Sequence, residues 1–302
     1  MGKLFLYGKI DNRKQVLVCC LVAWAFLGAL PSVAQDAAVD NTSQRKLYLL
    51  HCAGCHGSDG LGNGIAARFV FPKPRDFTTG RFRLVRTVNR VASAEDIEQA
   101  ISRGVPGTSM QGWQQLGQEA VSELTAEVLR LREDGVRKKV RRSLAEDGKA
   151  ATTDEVDPIV LALTRPGEVW QSPRFPASDA ASIDRGAEVF VKQSCHSCHG
   201  RDGAGSWQMD LVDDKGRPTW ATDLRFDHYK GPSDALSIAR RITLGMPGSA
   251  MPASRKLSEQ ELADLVHYCQ SLAREERYEL TNHQRAQRAV GFRKPPEPTE
   301  SP

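Results

Sequence analysis

Apolar residues recur along this chain at the three-to-four-residue spacing of helices, and no alternation of apolar and polar positions persists long enough to mark a strand. In the first half such stretches cover residues 45–50, 94–101 and 121–131. In the second half they cover residues 183–191, 234–242 and 258–272, with Phe190 answering Tyr48. Ser258, followed three positions later by Glu261, has the pattern of a capping box that opens the last helix. Glycines and prolines separate the helical patterns. Between the halves lies a highly charged stretch at 132–149 and then a looser, proline-containing segment to about residue 180. The pattern predicts an all-α architecture of two units joined by a charged linker.

The beginning of the chain follows a different logic. Lys3, Lys9, Arg13 and Lys14 precede an uncharged apolar run at 16–30, then Pro31 and the small-x-small set Ser32-Val33-Ala34. This layout predicts a secretory signal cut after Ala34, and with it export to the periplasm. An uncleaved anchor is the competing reading, but the run falls short of the roughly 18 apolar residues of a membrane span. Cys19 and Cys20 sit in that run as passive apolar residues. Most of the chain's formal excess of +4 lies in this segment. No basic stripe or aromatic ladder points to a nucleic-acid partner.

Four of the seven cysteines stand in two copies of one motif: Cys52-Ala53-Gly54-Cys55-His56 and Cys195-His196-Ser197-Cys198-His199. C-x-x-C-H is the attachment motif of c-type haem. Two thiols three positions apart on one helical turn can each bond a haem vinyl carbon, and the adjoining imidazole then meets the iron. A zinc module would bring its two Cys pairs close along the chain, whereas these are more than 140 residues apart. A thioredoxin-like pair would need a βαβ context. The low aromatic content, 7%, suits interiors partly filled by a large prosthetic group.

The motif belongs to an internal repeat. Gly57-Ser58-Asp59-Gly60-Leu61-Gly62 matches Gly200-Arg201-Asp202-Gly203-Ala204-Gly205, and Asp76-Phe77 matches Asp223-Leu224. Gly104-Val105-Pro106-Gly107-Thr108-Ser109-Met110 matches Gly245-Met246-Pro247-Gly248-Ser249-Ala250-Met251. Met110 has no competitor in its half. In the second half the alignment pairs Met251 with Met110 and Met246 with Val105, and the His-to-Met separations of 54 and 52 residues agree. Met209, ten residues after His199, is too close along the chain to reach the far side of a haem.

With these motifs in place, both halves resemble class I c-type cytochrome domains. The resemblance covers residues 41–132 and 181–276, leaving 1–34 as signal, 133–180 as linker and 277–302 as a C-terminal tail. It implies two covalently bound haem c groups on Cys52, Cys55, Cys195 and Cys198, with His56/Met110 and His199/Met251 as axial ligands. It also implies backbone carbonyls near Pro72 or Pro74, and near Pro218, that fix the two histidine rings. Trp113 and Trp220 are expected against the haems. His51, His196, His228 and His267 are expected outside the ligand set, and Cys269 as a small buried hydrophobe.

Two six-coordinate irons would leave no open position, so the expected role is electron transfer rather than catalysis. The implied partners are a donor and an acceptor redox protein, with membrane association only through a partner or an uncleaved signal. The rival readings are a dihaem peroxidase, in which one iron opens to substrate, and an anchored dihaem subunit of a haem-copper oxidase.

Overall fold

The computed structural model describes residues 42–149, 151–205, 211–254 and 256–289. The expected signal, and Met209, lie outside the described residues. Among the described residues the architecture is helical, and β pairing is confined to isolated bridges such as Thr87 with Val169. None of these helices is long and apolar enough to cross a membrane.

The first half is built from α1 (Ser43–His51), the single turn α2 (Ala53–His56), α3 (Ala94–Arg103) and α4 (Gln118–Glu146). A further helix, α5 (Thr153–Thr164), follows. The second half repeats the order with α6 (Ala180–Lys192), the single turn α7 (His196–His199), α8 (Ala235–Leu244) and α9 (Glu259–Leu272). It ends on α10 (Asn282–Ala289), within the stretch read as a tail.

Local chemistry starts these helices where it is legible in the sequence. Ser258 accepts from the Glu261 amide at 3.1 Å while its own amide donates to the Glu261 carboxylate at 2.9 Å, the reciprocal box expected there. Ser93 and Asp96 make the same exchange at the start of α3. Each half then buries the seam between its first and last helices. α1 packs on α4 around Tyr48 and Leu124, both fully buried, and α6 packs on α9 around Phe190, Leu265 and Val266. Burying side chains of this size stabilises by roughly 1.5–3 kcal/mol each.

The charged stretch after residue 131 departs from the expectation. The closing helix does not end near Leu131 but continues as α4 to Glu146. Val136 and Val140, four positions apart, face Val156 and Val160 of α5, so one apolar stripe is buried in a helical hairpin; most Arg and Lys side chains of the stretch stay exposed, but Arg132 is buried and donates to Ala92 O at 2.8 Å. The chain beyond α5 runs along the first half. The Val88 amide donates to Glu168 O at 2.9 Å and the Trp170 amide to Arg86 O at 2.7 Å. The Trp170 ring packs against the cores of both halves.

Candidate functional site

The two C-x-x-C-H turns have the same backbone. In each, the glycine after the histidine closes the turn, Gly57 onto Ala53 O at 2.8 Å and Gly200 onto His196 O at 2.9 Å. The histidine carbonyls then accept from Gly62 and Gly205, both at 2.7 Å. Phe77 and Leu224 donate to Gly60 O and Gly203 O at 2.8 and 2.7 Å, which brings the Asp76-Phe77 and Asp223-Leu224 segments under the turns.

Those segments orient the histidines. His56 Nδ1 lies 3.0 Å from Arg75 O, and His199 Nδ1 lies 3.0 Å from Thr222 O. A carbonyl only accepts, so Nδ1 carries the hydrogen and Nε2 is left with the free lone pair that a metal ligand needs. Burial favours the neutral ring in both cases, holding His56 down at about 4 and His199 below its usual range. Both acceptors fall in the expected neighbourhoods: Arg75 directly follows Pro74, and Thr222 lies four residues past Pro218. The carbonyl that meets the ring is chosen by how this segment passes beneath the turn.

The methionine loops also match bond for bond. Val105 N donates to Met110 O at 2.8 Å and Met246 N to Met251 O at 3.1 Å. Thr108 and Ser249 brace them from inside, their hydroxyls donating to Val105 O and Met246 O at 2.6 and 2.7 Å. The same hydroxyls accept from the Met110 and Met251 amides at 3.0 and 3.2 Å. Met251 therefore holds the place of Met110, and Met246 that of Val105.

Each half brings its motif and its loop to one cavity. The first encloses about 1290 Å³ including its open mouth and is lined by Cys52, Cys55, His56 and Met110, with Ile97 and Trp113. The second encloses about 650 Å³ and is lined by Cys195, His199, Met246 and Met251, with Ile238 and Leu265. Cofactor clefts are mostly apolar, as both of these linings are. Cys52 is pushed up to about 12, chiefly by burial, and burial also raises Cys195. Neutral thiols of this kind do not suit a thiolate redox pair. Among the described residues, no three His, Cys, Asp or Glu side chains gather as a metal site.

The polar side chains of the cavities test the fit of haem. Arg83 lines the first cavity with a buried Nε that has no hydrogen-bond partner. Lys230 and Arg241 line the second. Lys230 has Thr222 Oγ1 at 3.0 Å, a neutral partner, and burial, with Arg83 nearby, holds its ammonium down at about 8. Burial likewise lowers Arg83 and Arg241 to about 10. Apolar cavities edged by cations without a carboxylate in ion-pair contact fit a large apolar group that carries its own carboxylates, as haem does. No spacing rule marks these three residues in the sequence.

The remaining candidates resolve one by one. Trp113 lines the first cavity and packs on His51 with ring centroids 5.0 Å apart. Trp220 does not line the second cavity and instead sits 5.9 Å from the Lys230 ammonium. His228 faces Glu279 at 3.8 Å, and His267 is buried against Ser182 Oγ at 2.9 Å. Cys269 lines the second cavity, buried and raised to about 12.

No curated protein matches this chain. Among solved structures it is similar to a chain of the reducing HAO-like protein complex of Kuenenia stuttgartiensis, with 26% identity and a TM-score of 0.63. The likeness covers 77% of this chain and 97% of that one. The cytochrome c family model matches residues 183–273, the segment that holds the second motif, the second methionine loop and α9. On that match and this geometry, residues 183–273 of the chain are a cytochrome c domain.

Proposed function

We propose that the chain is an exported, periplasmic electron carrier that holds two covalent haem c groups, one in each of two tandem cytochrome c domains. The observation that carries this reading is the first half's match to the second. Its C-x-x-C-H turn, histidine-fixing carbonyl and braced methionine loop follow the hydrogen-bond pattern of the domain recognised at 183–273.

Haem c, when bound, supplies reversible one-electron exchange between ferric and ferrous iron. The chain's own residues determine how that exchange is used. Cys52 and Cys55, and Cys195 and Cys198, fix the group covalently. His56 and His199 offer Nε2 because their Nδ1 hydrogens are held by Arg75 O and Thr222 O. Met110 and Met251 offer thioethers, which favour the reduced state and raise the potential. With all four in place neither site has a position for a substrate, and the chain passes electrons between redox proteins. The likeness to a chain of a reducing complex favours a subunit role in such an assembly over a freely diffusing carrier.

The test is a pyridine haemochrome assay on acid-acetone-extracted protein from an exporting host. Two covalent haems per chain are expected, and one after Cys52→Ala or Cys198→Ala. One or none in the unaltered chain overturns the reading. A high-spin haem that turns over peroxide would put the peroxidase in its place.

A further inference from the structure

Arg75 belongs to the first half, yet its two ends serve different sites. Its carbonyl accepts from His56 Nδ1 at 3.0 Å. Its side chain, only 9% exposed, crosses to the second half, where Nη1 donates to Gly248 O at 2.7 Å and Nη2 pairs with the Asp214 carboxylate. Gly248 is the bend of the loop that runs from Met246 to Met251, with φ of +76°. A Cβ at Gly248 would overlap the guanidinium, so the loop and the arginine are fitted to one another at that point. The neighbours of Arg75 are gripped from the same side. Arg217 Nη1 donates to Pro74 O at 3.3 Å, and Lys215 pairs with Asp76.

We infer that Arg75 is a positioning residue shared by both sites, its carbonyl orienting His56 and its guanidinium holding the loop that presents Met251. The inference rests on the two-haem reading above. Its consequence is asymmetric. Any side chain at position 75 keeps the carbonyl. The guanidinium also lines the first cavity, so losing its charge lowers both potentials by field alone, while only the second site loses a bond to its methionine loop. A loop freed from that buried, charge-assisted bond presents its thioether less firmly. Weaker thioether ligation lowers the potential and lets hydroxide or another ligand displace the sulfur at lower pH.

The experiment uses the full chain with both haems bound. Arg75→Leu is compared with the unaltered protein by spectroelectrochemical titration and by the pH at which the ferric thioether band is lost. Met110→His serves to assign the first haem. The expected result is an earlier loss of the band for the second haem as pH rises and a larger fall in its potential than in the first haem's, whose band keeps its pH of loss. Arg75→Lys should restore part of the shift. Arg217→Ala, which loses its bonds to Pro74 O and to the Asp213 carboxylate but none to the methionine loop, should leave the second haem's band in place. Asp214→Asn guards against misfolding of the Arg75 variant. Removing its negative charge would by field alone raise both potentials, whereas loosening Arg75 lowers the second. An equal shift at both haems with the second band's pH of loss unchanged, a shift confined to the first haem, or none at either, overturns the proposal. A count of two haems in the variants keeps its failure distinct from failure of the two-haem reading.

Discussion

Tyr48 is fully buried between α1 and α4, and its hydroxyl donates to Gly57 O at 2.7 Å. The helix before the first C-x-x-C-H turn is thereby tied to the residue immediately after it. Burial pushes the phenol far above its usual range, so it remains a donor throughout the pH range in which the protein is handled. Tyr48→Phe removes one of two hydrogen bonds to the Gly57 carbonyl, which keeps the Gly60 amide at 3.2 Å, at a cost of about 0.5–1.5 kcal/mol. A lower urea midpoint with haem attachment retained is the expected result.

In the second cavity the two methionines are separable by substitution. Met251→Leu should remove half of the near-infrared thioether band of the ferric protein and lower one potential, because thioether ligation favours ferrous iron. Met246→Leu should leave both unchanged, since Met246 stands where the first loop has Val105. Loss of the band in Met246→Leu alone would move the ligand to that residue.

Gly186 marks the crossing of α6 and α9, where a Cβ would overlap the backbone oxygen of Asp264. Gly186→Ala forces the two helices apart and costs about 1–3 kcal/mol by overpacking. Chemical denaturation followed by far-ultraviolet circular dichroism measures it. Gly135→Ala, on the other half's long helix, meets Thr78 in the same way and should be destabilising as well.

Glu261 gives the fold a pH dependence with a definite sign. The Lys192 ammonium at 2.7 Å, and then the Ser258 amide and hydroxyl, hold its carboxyl at about 2, below the ordinary 4.5. The unfolded chain therefore takes up the proton first as pH falls. The contribution is fully present above about pH 4.5 and is lost as pH falls toward about 2. Glu261→Gln should lower the urea midpoint at neutral pH and converge on the unaltered protein in acid. Both partners are open to solvent, so the effect should be small and should shrink with salt.

Much of this protein is legible in its sequence because it is local. The C-x-x-C-H turns, the glycines that close them, the Ser258–Glu261 cap and the braced Gly-Pro-Gly loops are each set by residues within about six positions of one another. The match of Met251 to Met110 was legible for the same reason, and the two loops carry equivalent bonds. Residues distant along the chain needed the fold. The neighbourhood of Pro74 was expected to meet His56, but which carbonyl there does so, that of Arg75, is decided by the path of the segment under the turn. The 132–149 stretch reads as a charged linker, since only Val136, Val140 and Leu144 stand at helical spacing among its charges. As far as Glu146 it becomes the second half of α4 once Val156 and Val160 return to cover that stripe. Arg83, Lys230 and Arg241 carry no motif at all, and only the cavities give them a role. Sequence alone determined which ligand motif each half presents, because such a motif is a matter of spacing along one turn. Tertiary structure decided how the halves share residues such as Arg75, because a bond across 173 positions depends on where two surfaces meet.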